Sequence, residues 1–306
     1  MNADRREWNA KELANRYQDR FGIDVVDFLN GERIELDRCS RTGVWRFSEC
    51  LPGDGKFYES LERLPFYYMD DKWEFGQTLD LINGWESFDG SSKPSILEVG
   101  CGSGAFLRMC RASGFENLAG LELNEQAIEK CQAEDLDVQP LMTNQLVDRG
   151  VKFDCVLAFQ VLEHVPEPDA FLDELWQLTN PGGFVVVSTP NMRAFPRRFQ
   201  WDLLDLPPHH MSRFDESSYR TLASCIGAGA PEIRFEPLAR YHHNFFIDSL
   251  LDHMPRRSLR RRLLKHTMRL GMKLNPWSSK IRGHSMMAVY RKPISLAAMS
   301  VYAKAA

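Results

Sequence analysis

The stretch ILEVGCGSGAFL, Ile96 to Leu107, narrows the choice of fold more than any other part of the chain. A short apolar run ends in three glycines at alternate positions, Gly100, Gly102 and Gly104, and passes into an amphipathic segment. That order reads as strand, tight turn and helix. Glycine there lets a ligand approach the backbone where side chains would block it, which is how nucleotide pockets are built. A dinucleotide fold would set a pyrophosphate at the helix N-terminus with the spacing G-x-G-x-x-G, whose last glycine is missing here. Glu122 ends the next apolar run, roughly 20 residues on, where a carboxylate accepts both hydroxyls of a ribose. A ribose without a pyrophosphate is implied.

The segments after this loop alternate in type. SILEVG, NLAGLEL, DVQPLM, FDCVLAFQ and GFVVVSTP read as strands; GAFLRMCRAS, NEQAIEKCQAE and EPDAFLDELWQLT read as helices. Apolar strands separated by amphipathic helices predict an α/β fold with a doubly wound, mostly parallel sheet covered on both faces. EIRFEPLARY and SMMAVYRK would complete seven strands as an antiparallel pair at the edge. Upstream, residues 1–82 are irregular and rich in aromatics, and Phe57, Tyr58, Phe66, Tyr67, Tyr68, Trp73 and Phe75 are too dense for ordinary surface. They predict an N-terminal cap on a main domain spanning 83–306, with the turn-forming DGSSKPS just before the first strand.

The formal charge of −4 argues against nucleic acid as a partner of the whole molecule. Seven cysteines, an odd number with no CxxC pair, point to reduced thiols and away from a structural zinc site. The polar N-terminus MNADRREWNAKELANRYQDR has no apolar signal-like core, so a cytoplasmic protein is expected.

Four segments in order, LEVGCGSG, GLELN, FDCVLAFQVLEHVPEP and NPGGFVVVSTPN, resemble the class I S-adenosylmethionine-dependent methyltransferases. VLEHV and PGG…STPN are similar to the branch that includes ubiquinone-type O-methyltransferases. The pattern CSRTG…F…GDGKFYESL…YYMDDKWEF resembles bacterial methyltransferases associated with surface-polysaccharide biosynthesis. The resemblance implies a Rossmann-like seven-stranded domain that binds S-adenosylmethionine. It assigns Glu98, Gly100, Cys101, Gly102 and Gly104 to the loop beside the methionine part, Glu122 to the ribose and Leu123 to the adenine face. Met142 and Thr143 would line the adenine edge, and Phe159 and Gln160 would sit near the sulfonium.

Methyl transfer to a hydroxyl needs an in-line acceptor and removal of its proton. His164, opening the loop beyond the fourth strand, is one candidate base; its first reading is a helix-start residue bonded to backbone. His209 and His210 in DLPPHHMSRF are the others, as substrate contacts or as a cap on the following helix. Some relatives carry an E-x-x-E-H metal site here, but Gln160 stands where the first Glu would be, so no metal is expected. Tyr67, Tyr68 and Trp73 suit either an aromatic platform for a sugar ring or a packed core.

A basic helical insertion over about 245–282 precedes the last strand, and residues 255–282 contain no Asp or Glu. Leu259, Leu263, Leu270 and Leu274 recur near helical spacing, giving either a helix on an anionic membrane or one packed on the domain by its leucines. The predicted reaction is O-methylation of a sugar or glycan precursor. Alternatives are a quinone-like or secondary-metabolite acceptor, or a non-catalytic S-adenosylmethionine-binding accessory protein.

Overall fold

The computed structural model describes residues 6–64, 71–85, 93–194, 202–251, 253–255, 257–274 and 280–294. β1 (Arg6–Asn9), α1 (Ala10–Phe21), β2 (Arg33–Arg38), β3 (Trp45–Phe47), α2 (Gly55–Glu62) and α3 (Trp73–Asn83) precede the glycine loop. β4 (Ile96–Val99), α4 (Ala105–Ala112), β5 (Leu118–Leu121), α5 (Glu125–Ala133), β6 (Val138–Gln139), α6 (Thr143–Asp148), β7 (Phe153–Phe159), α7 (Pro168–Gln177) and β8 (Thr179–Pro190) then alternate. β9 (Ser212–Arg213), α8 (Glu216–Cys225), β10 (Glu232–Pro237), α9 (His243–Leu250), α10 (Leu259–Leu274) and β11 (Arg282–Arg291) follow.

Seven strands form one sheet in the order β10-β11-β8-β7-β4-β5-β6. Pairing is parallel from β8 to β6 and antiparallel on both sides of β11. The last two strands pair antiparallel, as expected, but β11 inserts between β8 and β10 and leaves β10 outermost. The continuous apolar runs explain the sheet's burial. Leu97, Val156, Val185 and Val187 pack with Leu172, Leu175, Tyr219 and Leu222 on one face, while Ile96, Leu157 and Val186 pack with Phe75, Ile82 and Phe106 on the other. Each such side chain contributes about 1.5–3 kcal/mol through burial. Strand order switches between β4 and β7, so the loops leaving their carboxyl ends open a crevice there.

The N-terminal region is more regular than its composition suggests. β1, β2 and β3 form an antiparallel sheet, and its fourth strand is β9, contributed from beyond β8. Ile34 and Leu36, alternating on β2, face a core that includes Leu13, Tyr17, Phe57, Leu203 and Leu206. The Tyr17 hydroxyl donates to the Leu203 and Leu206 carbonyls at 2.6 and 3.1 Å. The N-terminal region therefore holds the segment that leads to His209 and His210. Phe66, Tyr67 and Tyr68 lie outside the described residues. Trp73 and Phe75 belong to α3, which packs on the large sheet.

Candidate functional site

The glycine loop leaves β4 and enters α4 in left-handed backbone, with φ of 69° at Gly100 and 78° at Gly104. A Cβ at Gly100 would come within 2.6 Å of Val161 Cγ2, and one at Gly104 within 2.7 Å of Leu136 Cδ1 and 2.9 Å of Cys131 Sγ. Glu122 closes the loop from the end of β5. Its Oε2 accepts from Gly102 N at 2.8 Å, and its Oε1 accepts from Leu123 N and Asn124 N at 2.8 and 3.0 Å. The Asn124 side chain caps α5 by accepting from Ala127 N at 3.1 Å, which fixes the turn carrying Glu122. Beneath the loop, Glu98 is buried and its Oε2 has no partner among the described residues. Burial pushes this carboxyl well above its usual range. Cys101 is also buried, and its backbone N donates to Leu121 O at 3.1 Å.

Leu123, just after β5, and Met142, just before α6, are 63% and 54% exposed, apolar surface that suits the faces of a purine. Thr143 turns inward, its hydroxyl donating to Glu174, so only its backbone is available to the crevice. The residues assigned to a nucleoside thus fit one: a carboxylate at a strand end, an open loop, an orphaned buried acid and two apolar flanks.

At the end of β7, Phe159 is held edge-on against Phe75 and Phe106, with ring centroids 5.2 and 5.1 Å away. Gln160 follows with φ of 58°, a strained value for a residue with a side chain. Its Nε2 donates to Glu74 Oε1 at 2.9 Å, and Ser188 Oγ donates to the same oxygen at 3.1 Å. Gln160 therefore turns toward α3. Nothing in the spacing of Glu74 or Ser188 marked them in advance.

The three candidate histidines meet. Ring centroids lie 4.6 Å apart for His164 and His209, 4.8 Å for His164 and His210, and 4.5 Å for His209 and His210. His164 Nδ1 donates to the His209 carbonyl at 2.6 Å and His209 Nδ1 to the Leu204 carbonyl at 2.7 Å, placing their lone pairs on Nε2. Glu163 Oε1 lies 4.0 Å from Nε2 of both His164 and His210, while Asp205 Oδ1 is 3.7 Å from His210 Nδ1 and 2.7 Å from Arg213 Nη1. Tyr58 of α2 packs edge-on to His164 at 5.9 Å. Burial lowers His164 to about 4 and holds His209 and His210 well below the usual imidazole value. It also raises Glu163 to about 8 and Asp205 to about 6. At neutral pH the cluster holds neutral imidazoles. His164, whose side chain is 19% exposed, is more accessible than His210 at 8%. Neither His209 nor His210 caps α8; Asp215 does, accepting from Ser218 N at 3.0 Å. One ligand atom from each histidine lies within 4.8 Å of the others, a grouping the pattern E-x-x-E-H did not reveal.

The loop geometry gives a first expected result. Gly104→Ala places a side chain in left-handed backbone against Leu136 and Cys131, at about 1–2 kcal/mol for the backbone and a similar amount for overpacking. Urea denaturation is expected to show a loss of about 2–4 kcal/mol; a loss below 0.5 kcal/mol, within the usual scatter of surface changes, contradicts the crowding.

Residues 74–228, half of the chain, match the family described as a methyltransferase domain. The chain is 29% identical over 113 residues to the ubiquinone biosynthesis O-methyltransferase of Proteus mirabilis (strain HI4320), covering 35% of this chain and 46% of that protein. It is 28% identical over 137 residues to the ubiquinone biosynthesis O-methyltransferase of Hydrogenovibrio crunogenus (strain DSM 25203 / XCL-2), covering 40% of this chain and 56% of that protein. These alignments span about half the length of those curated relatives. A SAM dependent methyltransferase from Archaeoglobus fulgidus superposes with a TM-score of 0.53 at 16% identity, covering 77% of this chain and all of that one, a likeness of fold.

Proposed function

The chain belongs to the methyltransferase-domain family, and from that premise we propose that it transfers a methyl group from S-adenosylmethionine to a hydroxyl of a sugar or glycan precursor. The observation that carries the cofactor reading is the conjunction of the Gly100–Gly104 loop, orphaned Glu98 and strand-end Glu122 at the switch between β4 and β7. Glu122 binds the ribose hydroxyls, Leu123 and Met142 hold the adenine, and the loop backbone accommodates the amino-acid part. The cofactor supplies a methyl group on a positively charged sulfur.

The acceptor oxygen lies beyond Phe159 and Gln160, toward the histidine cluster. His164 takes its proton on Nε2. A base this weak suffices, because the oxygen becomes strongly acidic as its bond to the methyl carbon forms. The hydrogen bond from His164 Nδ1 to the His209 carbonyl keeps the accepting lone pair on Nε2 throughout. His209 and His210 support that geometry from the segment anchored by Tyr17 and by the Asp205–Arg213 pair.

The sugar acceptor is supported by the resemblance of the N-terminal pattern. Its CSRTG segment forms the turn between β2 and β3, where Arg38 Nη2 donates to Ser217 Oγ at 2.6 Å and Ser218 Oγ donates to Gly43 O at 2.9 Å. A lipid-linked acceptor would place the enzyme at a membrane face. The direct test is calorimetric titration with S-adenosylhomocysteine, with NAD as control, followed by assay against sugar nucleotides, lipid-linked glycans and quinone-like phenols. Binding of S-adenosylhomocysteine alone and methylation of a glycan are expected. Turnover confined to phenols would transfer the reading to the quinone-like class, and binding without turnover on any acceptor would favour the accessory-protein reading.

The grouping of three imidazoles favours a second reading, in which they hold an ion of the zinc class. A ring nitrogen that coordinates a metal cannot accept a proton. EDTA treatment is therefore expected to leave turnover unchanged; activity lost to the chelator and regained with zinc would make the trio a ligand set.

A further inference from the structure

α9 and α10 form an excursion between β10 and β11. Ser285 of β11 pairs with Pro190 at the carboxyl end of β8, and β10 runs antiparallel to β11, so β10 ends at the same edge. The excursion thus leaves the sheet on the side where the loops of Gly100 and His164 also emerge.

α10 departs from an ordinary surface helix in where its charges and leucines lie. Its inner face carries charge beside the half-buried Met268 and Met272. Arg261 is 8% exposed and donates to the Leu251 carbonyl at 2.8 Å, the Met254 carbonyl at 3.0 Å and Asp248 Oδ1 at 3.1 Å. Lys265, one turn on, pairs with the same Asp248. Its outer face carries leucine, with Leu259, Leu263 and Leu270 exposed by 71%, 61% and 52%. At about 100° per residue these three lie within some 40° of one another and directly opposite Arg261. Arg260 on one side and Arg262 and Arg269 on the other flank the stripe, all exposed. The packed-by-leucine alternative is therefore excluded for these three residues.

An apolar stripe between arginines, with no acidic residue from 255 to 282, matches a surface that is anionic outside and hydrocarbon beneath. RNA would satisfy the arginines but leave the leucines in water. We propose that the outer face of α10 docks the protein on an anionic lipid surface, the leucines entering the acyl boundary and the arginines meeting the head groups. Docking sets the acceptor-side edge of the sheet toward the bilayer, so that a lipid-linked acceptor reaches the site without leaving the membrane. The last step rests on the proposed methyltransferase reading; the docking itself does not.

Flotation of the full chain with phosphatidylcholine vesicles, with and without phosphatidylglycerol, tests the proposal. The wild type is expected to float with anionic vesicles, and added salt to release it. Arg260→Gln with Arg262→Gln is expected to lower partitioning roughly thirtyfold, taking about one basic side chain's contribution for each. Leu259→Gln, Leu263→Gln and Leu270→Gln together are expected to abolish flotation. These positions are solvent-facing, and S-adenosylhomocysteine binding at wild-type affinity verifies that each variant is folded. Absence of flotation by a wild type that binds S-adenosylhomocysteine overturns the docking surface and leaves the cofactor reading intact. Unchanged flotation of the leucine variant also overturns it. Flotation by a protein that binds no S-adenosylhomocysteine would instead overturn the methyltransferase reading alone.

Discussion

Replacing His164 with alanine is expected to lower kcat by about 10²–10⁴-fold while changing the dissociation constant for S-adenosylhomocysteine less than about twofold, the range attributed to a positioned general base. The imidazole lies outside the Glu122 loop, so cofactor contacts survive its removal. It is also bonded to the His209 carbonyl, so alanine removes a structural contact as well as a base. His164→Gln separates the two, since its amide can donate to that carbonyl but cannot take up a proton at any useful pH. Equal loss in both variants supports proton transfer. Recovery in His164→Gln would reduce the residue to positioning. The pH profile gives a further readout. A base must be unprotonated to act, and burial holds His164 to about 4, so its acid limb belongs near pH 4 and not at the ordinary imidazole value. Rate constants measured from pH 8 down to pH 5 are expected to show no loss from His164 protonation; because burial raises Asp205 to about 6, only a limb near 6.5 that Asp205→Asn leaves in place would mean that a solvated histidine controls the reaction.

Glu122→Ala is expected to weaken S-adenosylhomocysteine binding by roughly 30–150-fold, corresponding to about 2–3 kcal/mol for hydrogen bonds to a charged group in a partly buried site. The same carboxylate accepts from three backbone amides, so part of that loss comes from relaxation of the loop. A ligand comparison isolates the ribose contribution. The penalty of Glu122→Ala is expected to shrink for an analogue that lacks the ribose 2′-hydroxyl, whereas a purely structural role would penalise both ligands equally. An unchanged dissociation constant for the natural product would remove Glu122 from the site.

The parallel strands and the cofactor loop were legible because their signals are local. Gly100, Gly102 and Gly104 stand within five residues, and strands such as FDCVLAF need no partner to declare themselves buried. Strand β9 has two residues and β3 has three, too few to show a period, and no alternation with helices frames them as it frames the two-residue β6, so the small sheet was not read. The supports of the site were hidden for another reason. Glu74 meets Gln160 from 86 positions away, and His209 meets His164 from 45, separations that no spacing rule spans. α10 illustrates a third kind of limit. Its leucine spacing was plain, but which face met the protein depended on Asp248 of α9.

The two-residue strand β9 ties the segment that carries His209 and His210 to the N-terminal sheet. It adds Ser212 and Arg213 to β3, immediately after His209 and His210, and Phe47 N donates to Met211 O at 3.1 Å. A loop stitched in this way cannot be exchanged alone. A chimera that imports residues 202–213 from a relative without its matching N-terminal sheet would lose the ladder that orients the loop. The loop and the N-terminal sheet thus form one unit in two pieces, separated in sequence by the parallel strands β4 to β8, and exchanging either piece alone is expected to leave the histidine cluster without its support.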